Sequence, residues 1–319
     1  MSQGHDTVPE NFRMKKTWLD GELIDGDASV PLMTFTMHYG IGAFEGIRAY
    51  EGARGPAIFR LKEHIDRLFA SAAMMKLDMP FTVKDVMQAC VDVLAQNGLP
   101  EGYLRPLVFL DDGKRGLGAM NNRVRVAVMT WPWGAYLGED GIQNGIRVSV
   151  SGWSRMNPRS FLPKGKICGQ YVNSVLAKRE ALLAGYDESI LLDDQGFVSE
   201  ASGENVFRVK NGVIYTPPKG SPILEGITRD SVIQLARHFG ISVVEEAFSR
   251  GQLFDADEIF LTGTAAEVTP VREVDGRVIG AGGRGPITEK LQAAYFAAVR
   301  GQQEGFEQWL TPYDTDNSG

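Results

Sequence analysis

Two lysines separated by one glycine, Lys164 and Lys166, stand at the start of the segment KGKICGQYVNSVLA. Lys166 is followed by Ile167 and two small residues, and the apolar pattern after them predicts an amphipathic helix at about 170–185. These neighbours indicate a partly desolvated amine, which can form an imine with a carbonyl compound. The alternative for Lys166 is a surface lysine whose stem lies on apolar neighbours while its charge stays in water.

Two glutamates in the segment VSEASGEN are the second candidates for chemistry. Glu200 and Glu204 lie among small residues in a predicted β-hairpin. A buried carboxylate can keep a pyridine nitrogen protonated, so that the ring accepts electrons. An ion pair and a turn cap are the alternatives for Glu200.

Two further segments resemble anion sockets lined by backbone amides. In LEGITRDSVIQLARHFG, Gly226 and Ile227 precede Thr228, whose hydroxyl is predicted to cap a helix. The segment FLTGTAAEVTP ends a strand with the small residues of 263–266. A helix N-terminus carries about half a positive charge, and small residues let a ligand approach the main chain. An ordinary helix start and strand exit are the alternatives, but an imine-forming lysine, a carboxylate and a phosphate socket together are what pyridoxal phosphate requires.

The elements that must position these residues differ between the two halves of the chain. In the first half, the sequence predicts strands and turns in 17–50, helices at 61–77 and from Thr82, and strands near 103–110 and 123–130. The first helix has apolar residues on one face, and the second starts with a capping box.

Hairpins dominate the second half of the predicted structure. The turn signals are Gln195-Gly196, Asn211-Gly212 and Asp275-Gly276. Helices are predicted at about 170–185, 228–239 and 286–300. The strands therefore cluster antiparallel, and the fold class is α+β rather than an alternating βαβ fold. No GxGxxG follows a strand in the context that a dinucleotide site needs.

The segment WPWGAYLGEDGIQNG places turn residues between two β-type runs and predicts a domain boundary. We predict a small N-terminal domain at 1–132, an interdomain loop at 133–145 and a large cofactor-binding domain at 146–319. The tail after about Pro312 is predicted to be disordered.

Composition limits the possible partners. A hydrophobic content of 43% and a charged content of 23% are typical of a soluble globular protein, and the net charge of −7 argues against binding nucleic acid. Cys90 and Cys168 are far apart and form no disulfide framework or CxxC pair. Because His5 and the other three histidines are scattered, no metal site is predicted. No signal-like or membrane-spanning apolar run occurs, so a cytoplasmic location is expected.

Eight segments occur in the order found in one enzyme family. They are HYGIGAFEGIRAY (38–50), FRLKEHIDRL (59–68), YLRP (103–106), WGAYLG (133–138), KGKICGQYVNS (164–174), SEASGENVF (199–207), LEGITRD (224–230) and TGTAAEVTPV (262–271). Over nearly all of residues 15–310 the sequence resembles the fold-type IV pyridoxal-phosphate aminotransferases, specifically the branched-chain amino acid aminotransferases. The resemblance implies a small α/β sandwich domain, a larger pseudo-barrel β-rich domain, and a homodimer or higher homo-oligomer with active sites at the interface.

The resemblance also implies roles for the cofactor-binding residues. Lys166 is the implied Schiff-base lysine, Tyr171 bonds to the ring oxygen and Glu200 pairs with the pyridine nitrogen. Leu224 packs on the ring. The residues implied to hold the phosphate are Arg60, Ile227, Thr228 and Thr264. No role is implied for Lys164, which we interpret as solvated or as a weak neighbour of the phosphate.

Substrate-binding residues follow from the same resemblance. The implied walls of an aliphatic pocket are Phe44, Gly46, Tyr103 and Tyr136. Tyr39 is implied to reach the pocket of a neighbouring subunit, and the backbone of Thr264 and Ala265 to take the α-carboxylate. Arg105 can bind the distal carboxylate of glutamate with its planar fork. The loop DDGKRGLGAMNN at 111–122 departs from the family pattern, and its Leu117 is expected to enter the partner's pocket.

The expected reaction transfers the amino group of L-leucine, L-isoleucine or L-valine to 2-oxoglutarate in two half-reactions. Lys166 moves the α-proton, and desolvation is expected to lower its pKa below the ordinary ~10.4. Related fold-type IV enzymes that act on D-amino acids or (R)-primary amines, or that cleave aminodeoxychorismate, are the alternatives, and a non-catalytic cofactor-binding scaffold is another. YLRP with Arg105 favours L-branched-chain substrates.

Overall fold

The computed structural model describes residues 13–119, 121–134 and 136–315. The predicted features of the first twelve residues, including His5, and of the last four residues of the tail lie outside the described residues. The chain divides into two compact units, described separately below. The first unit contains the described residues up to Trp133 together with those from Val299 onward, and the second unit is Gly134–Ala298.

The first part of the chain contains seven strands and three helices within the described residues. The strands are β1 (Lys16–Leu19), β2 (Glu22–Asp25), β3 (Gly42–Phe44), β4 (Ile47–Gly52), β5 (Gly55–Phe59), β6 (Gly102–Leu110) and β7 (Val124–Trp131). The helices are α1 (Phe35–Tyr39), α2 (Leu61–Met74) and α3 (Val83–Asn97).

The second unit and the C-terminal segment supply the remaining elements. The strands are β8 (Ile146–Val150), β9 (Glu188–Leu192), β10 (Val198–Ala201), β11 (Asn205–Lys210), β12 (Val213–Thr216), β13 (Val243–Glu245), β14 (Glu258–Gly263), β15 (Glu267–Val274), β16 (Arg277–Val278) and β17 (Leu310–Pro312). The helices are α4 (Glu139–Asn144), α5 (Tyr171–Leu183), α6 (Ile227–His238), α7 (Arg250–Phe254) and α8 (Pro286–Val299). Among the described residues, no helix has both the length and the apolar character needed to cross a membrane.

The first unit is built around an antiparallel sheet with the strand order β17-β5-β4-β6-β7-β1-β2, and β3 pairs with β6. Helices α2 and α3 bury their predicted apolar faces in its core, with Ile65 and Val86 fully buried. The capping box is confirmed: the Asp85 amide donates to Thr82 Oγ1 at 3.3 Å, and the Thr82 amide donates to Asp85 Oδ2 at 2.8 Å. Thr82 and Asp85 therefore determine where α3 begins.

The sheet of the second unit has the order β10-β9-β8-β15-β14-β11-β12-β13, with β16 beside β15. The predicted hairpin turns are confirmed between β9 and β10, β11 and β12, and β15 and β16. The expectation that strands cluster antiparallel holds only in part, because β8 pairs parallel with both β9 and β15, and β12 pairs parallel with β13. Helix α5 connects β8 to β9, and such a crossover is what parallel pairing requires.

Two predicted boundaries differ from the structure. Residues from Val299 onward belong to the first unit rather than to a domain at 146–319, because β17 pairs with β5. The predicted interdomain loop at 133–145 contains α4. The predicted disorder after about Pro312 is wrong for Tyr313, which is buried and donates its hydroxyl to Leu99 O at 2.7 Å.

Candidate active site

Lys166 lies in the second unit, just before α5. Its Nζ donates a hydrogen bond to the Tyr171 hydroxyl at 3.0 Å, and the next residue, Ile167, is fully buried. A 3-10 turn at Cys168–Gln170 runs directly into α5, and Gln170 Nε2 donates to Gly165 O. The turn and the start of the helix therefore hold the half-buried amine against one phenol, as the sequence predicted for a partly desolvated lysine.

Glu200 is the buried carboxylate of this unit. Its Oε2 accepts hydrogen bonds from the Leu224 amide at 2.9 Å and from Asn205 Nδ2 at 3.3 Å. Its Oε1 lies 2.6 Å from Arg155 Nε. The two groups form an ion pair, although Arg155 Nε has no partner with hydrogen-bond geometry among the described residues. Burial raises the pKa of Glu200, and Arg155, the Leu224 amide and Lys166 offset part of that rise. The carboxylate is thus fixed from three sides and interacts electrostatically with Lys166.

The N-terminus of α6 has no side-chain cap among the described residues, so the predicted cap at Thr228 is wrong. Gly226, not Thr228, is the N-cap residue, and no side chain caps the helix. A Cβ on Gly226 would lie 2.1 Å from Asn205 Oδ1, so glycine is required by this close approach. Because Ile227 begins the helix, buried Thr228 is its second residue and stays within reach of an anion at the N-terminus.

The second predicted socket is the turn that follows β14, where Thr264 and Ala265 are half-buried. Asn205 pairs with Thr262 in the sheet, and its side chain donates to Leu224 O at 2.9 Å. The register of β11 and β14 therefore brings this strand exit beside the loop that precedes α6. Both predicted sockets belong to the same unit as Lys166.

The residues of this unit fit pyridoxal phosphate. An amine that can form an imine, a phenol beside it, a buried carboxylate and an uncapped helix N-terminus match the aldehyde, the ring and the phosphate of that cofactor. A Cβ on Gly263 would approach Glu204 Cγ and Gly203 O at 3.2 Å, so the second socket is also narrow. The buried Thr262 Oγ1 has no hydrogen-bond partner among the described residues.

Arg60 lies in the first unit, and its described contacts are structural. Its guanidinium carbon is 5.2 Å from the ring centroid of Trp309, and its Nε donates to Glu63 Oε1 at 2.7 Å. Its backbone has a left-handed φ of 49° at the start of α2, and its amide donates to Trp309 O at 2.6 Å. These contacts join the start of α2 to the turn that precedes β17, and the phosphate-binding role of Arg60 stays a prediction.

Four predicted substrate-binding residues come together in the first unit. The guanidinium carbon of Arg105 lies 4.7 Å from the ring centroid of Phe44, 5.5 Å from that of Tyr103 and 5.6 Å from that of Trp131. Arg105 Nε is buried without a hydrogen-bond partner among the described residues. A Cβ on Gly46 would lie 1.8 Å from the Tyr103 hydroxyl oxygen. The group is a cluster of aromatic rings around one guanidinium.

The residues predicted to reach a neighbouring subunit lie on the surface of the first unit. Tyr39 ends α1 and is 44% exposed, and Leu117 in the 111–122 loop is 85% exposed. His38, next to Tyr39, has its Nε2 at 2.9 Å from Leu32 O.

Comparison with known proteins identifies the family. Residues 42–274 match the family described as Amino-transferase class IV. The chain belongs to this family. It is 47% identical over 295 residues to a branched-chain-amino-acid aminotransferase of Pseudomonas aeruginosa, covering 92% of this chain and 96% of the relative.

Solved structures agree with this membership. The crystal structure of the Escherichia coli branched-chain amino acid aminotransferase superposes with a TM-score of 0.92 at 42% identity, covering 94% of this chain and all of that one. The branched-chain amino acid aminotransferase from Thermobaculum terrenum, solved in its PLP-form, gives a TM-score of 0.89 at 34% identity, covering 94% of this chain and 99% of that one. The α+β class and the two-part fold-type IV architecture expected from the sequence are confirmed.

Sequence reasoning missed a buried network in the second unit of this aminotransferase. Lys178 Nζ lies 2.7 Å from Oε2 of the fully buried Glu188 and 5.4 Å from the ring centroid of Tyr136. Tyr136, the fourth predicted pocket wall, is therefore anchored to α5, the helix that begins with Tyr171. A lysine seven residues after a candidate site tyrosine, on the same face of a helix, was the available signal.

A second missed cluster precedes Gly46 in the first unit. The buried Glu45 carboxylate accepts hydrogen bonds from Arg67 Nε at 2.6 Å and Arg67 Nη2 at 2.9 Å, and its Oε2 lies 2.8 Å from His64 Nδ1. Burial opposes ionisation of Glu45, but Arg67 and His64 hold its pKa well below the usual range. These contacts hold the backbone at Glu45, directly before Gly46 and the aromatic cluster around Arg105.

Glu204 provides a test of the electrostatics of the aminotransferase site. Burial, together with the like charge of Glu188, raises the pKa of Glu204 to about 8. In the unfolded chain the pKa of a glutamate is ~4.3. Between this pH and about pH 8, the folded state therefore holds one more proton than the unfolded state. The free energy of unfolding must then fall as pH rises through this window.

We expect Glu204→Gln to remove that part of the pH dependence, because an amide does not ionise. Urea unfolding at pH 5.5, 7.0 and 8.5 measures it, and the wild-type protein should lose more unfolding free energy than the variant as pH rises. Glu304→Gln, at an exposed position, is the control. Parallel pH profiles for wild type and Glu204→Gln would contradict the prediction.

Proposed function

We propose that this class IV aminotransferase is a pyridoxal-phosphate-dependent branched-chain-amino-acid transaminase. It moves the amino group of L-leucine, L-isoleucine or L-valine to 2-oxoglutarate, giving the branched 2-oxo acid and L-glutamate. The observation that carries the proposal is the Lys166 amine, held 3.0 Å from the Tyr171 hydroxyl in the unit that also contains buried Glu200. The names of the relatives support the substrate class.

When bound, the cofactor supplies an electron sink that stabilises negative charge at the substrate's α-carbon. Lys166 Nζ would hold the cofactor and, once released from it, would take the substrate's α-proton and deliver it to the carbon of the cofactor's former aldehyde group. The Tyr171 hydroxyl, which accepts a hydrogen bond from Lys166 Nζ, would orient that amine. Glu200 would keep a proton on the ring nitrogen, and the Leu224 amide and Asn205 Nδ2 hold its Oε2 in place.

Phosphate binding follows from the two amide-lined sockets. The N-terminus of α6, from Ile227, offers backbone donors and a partial positive charge to a phosphate. The hydroxyls of Thr228 and Thr264 add donors at the two sockets, and the backbone at Thr264 and Ala265 would take the substrate's α-carboxylate. Each of these four residues is part of the second unit.

Specificity in the proposal comes from the Arg105 pocket of the first unit. The aromatic rings around Arg105 suit an aliphatic side chain. The buried Arg105 Nε, which has no hydrogen-bond partner among the described residues, suits the distal carboxylate of glutamate. One pocket can thereby serve both half-reactions. The combination of Arg105 with these aromatic walls favours L-branched-chain amino acids as substrates over D-amino acids.

A second copy of the chain completes the proposal. Helix α5 exposes an apolar stripe spaced at three, four and seven residues: Val172, Val175, Leu176, Leu182 and Leu183. Leu183 is 91% exposed, which favours coverage by another subunit. We therefore expect at least a homodimer, and a monomer in sedimentation velocity would contradict this part. The cytoplasmic location stays a prediction.

A panel of amino donors tests the function. Steady-state rates with 2-oxoglutarate are measured for L-leucine, L-isoleucine and L-valine against D-alanine and (R)-1-phenylethylamine. We expect the L-branched-chain donors to give the highest kcat/KM. A preference for D-alanine would contradict the proposal, and a bound-cofactor absorbance band that does not change with leucine would favour a non-catalytic scaffold.

A further inference from the structure

Lys164, two residues before the candidate Schiff-base lysine, has partners that the proposed function does not use. Its Nζ donates to the backbone carbonyl of Lys219 and, at 3.1 Å, to that of Ser221. The same nitrogen lies 3.7 Å from Glu225 Oε1. Its side chain is 33% exposed, so it is neither freely solvated nor fully buried. All three partners belong to the loop 217–226, between β12 and α6.

The loop 217–226 carries two parts of the cofactor site. Its Leu224 amide donates to Glu200 Oε2 at 2.9 Å, and its last residue, Gly226, is the N-cap of α6. Any shift of the loop would therefore move the orienting donor of Glu200 and the start of the proposed phosphate socket together.

The loop has few hydrogen bonds of its own to hold it in place. Pro217, Pro218 and Pro222 have no backbone N–H, and the segment has no regular secondary structure. Within the loop, the Ile223 amide donates to the Ser221 carbonyl at 2.8 Å, and Lys164 adds a second donor to that carbonyl and a donor to the Lys219 carbonyl. The ammonium of Lys164 serves two carbonyls with one group, and burial lowers its pKa while Glu225 and Glu200 oppose that change.

We propose that Lys164 is a positioning residue of the cofactor site. It holds the loop 217–226 so that the Leu224 amide orients Glu200 and α6 begins where the phosphate binds. The inference rests on the proposed function for the identity of the cofactor, but the attachment of the loop does not depend on it. The chemistry is that of a cationic donor on backbone carbonyls, at a position two residues before the reacting amine.

Lys219 offers a matched control on the same loop. Its Nζ lies 3.5 Å from Glu225 Oε2, so it shares the acidic partner of Lys164. Its side chain is 62% exposed, and the only partner recorded for its amine among the described residues is Glu225. A general effect of positive charge would appear in both lysine variants, whereas a clamp on the loop would appear only at Lys164.

The experiment compares Lys164→Met, Lys164→Arg and Lys219→Met with the wild-type protein. Hydrogen exchange of the peptide 217–226 is measured in the cofactor-free protein, and the Kd for pyridoxal phosphate is measured by absorbance titration. We expect Lys164→Met to speed loop exchange and raise Kd by about tenfold each, since a hydrogen bond from a charged donor is lost. Lys164→Arg should lie closer to wild type, and Lys219→Met should equal wild type.

Two results would overturn the proposal. One is loop exchange and Kd in Lys164→Met equal to those of wild type, and the other is an equal change in Lys164→Met and Lys219→Met. Wild-type protein that fails to bind pyridoxal phosphate would instead defeat the proposed function. In that case the exchange measurement still decides whether Lys164 holds the loop.

Discussion

Lys166→Ala is expected to abolish amino transfer while the protein stays folded. The substitution removes the amine that lies 3.0 Å from the Tyr171 hydroxyl and leaves a methyl group in a half-buried site. Loss of a positioned acid or base alone costs up to about 10⁴-fold in rate. Because the covalent attachment of the cofactor is lost as well, we expect kcat to fall by about 10⁴-fold or more.

The measurement is kcat with L-leucine and 2-oxoglutarate at saturating cofactor, with circular dichroism to confirm folding. Lys219→Ala is the control, because that side chain is 62% exposed and its amine lies 3.5 Å from Glu225 Oε2. If Lys166→Ala kept more than a tenth of wild-type kcat, another residue would have to be moving the proton.

Glu200→Gln is expected to give the second largest loss. Glutamine has nearly the same shape and can still accept the Leu224 hydrogen bond, so the loop before α6 should stay in place. It cannot, however, hold the ring nitrogen protonated. Removing one preorganised electrostatic group from an active site typically costs about 10²–10³-fold in kcat, and we expect a loss in that range.

The ion pair with Arg155 makes a second variant necessary. Glu200→Gln leaves Arg155 buried without its anionic partner, and breaking a buried pair in this way costs about 3–5 kcal/mol of stability. Arg155→Met breaks the same pair but keeps the carboxylate. We expect Arg155→Met to lose less kcat than Glu200→Gln, as measured at saturating cofactor below the unfolding transition. Equal losses in kcat would mean that the ion pair, rather than the acid at the ring, matters.

Local patterns in the sequence were sufficient for much of the fold. The apolar spacing in α2 and the Thr82–Asp85 capping box predict helices that the structure contains, and the glycine-containing turns predict hairpins that form. These features depend on residues a few positions apart, whose geometry is set by the backbone itself.

Features that depend on distant pairing were not predictable in the same way. The attachment of β17 to β5 and the parallel pairing of β8 join segments whose own composition does not specify a partner. The same reason applies to Glu45, which contacts side chains 19 and 22 residues away. Only a three-dimensional arrangement shows that such groups are neighbours.

The residues of the candidate site show the same difference between local and distant contacts. The small and apolar neighbours of Lys166 predicted a partly desolvated amine, and its contact with Tyr171 is also local, because Tyr171 lies five positions further along the same turn and helix start. Lys164, by contrast, finds its partners 55 and 57 residues further along the chain, and its acceptors are backbone carbonyls that carry no sequence signature. The N-cap of α6 is Gly226 rather than Thr228, and the reason for a glycine at that position is the approach of Asn205, which is 21 residues away in sequence.

Borohydride reduction of the protein loaded with pyridoxal phosphate, followed by peptide mass spectrometry, tests the central claim most directly. Reduction makes the bond between the cofactor and its lysine permanent, so the added mass marks the reacting amine. The structure predicts that the mass is found on Lys166. Chymotrypsin, which cleaves after aromatic residues, keeps Lys164 in the same peptide, and fragmentation should then place the mass on the second of the two lysines. Labelling of Lys164, or of any residue outside this segment, would contradict the account.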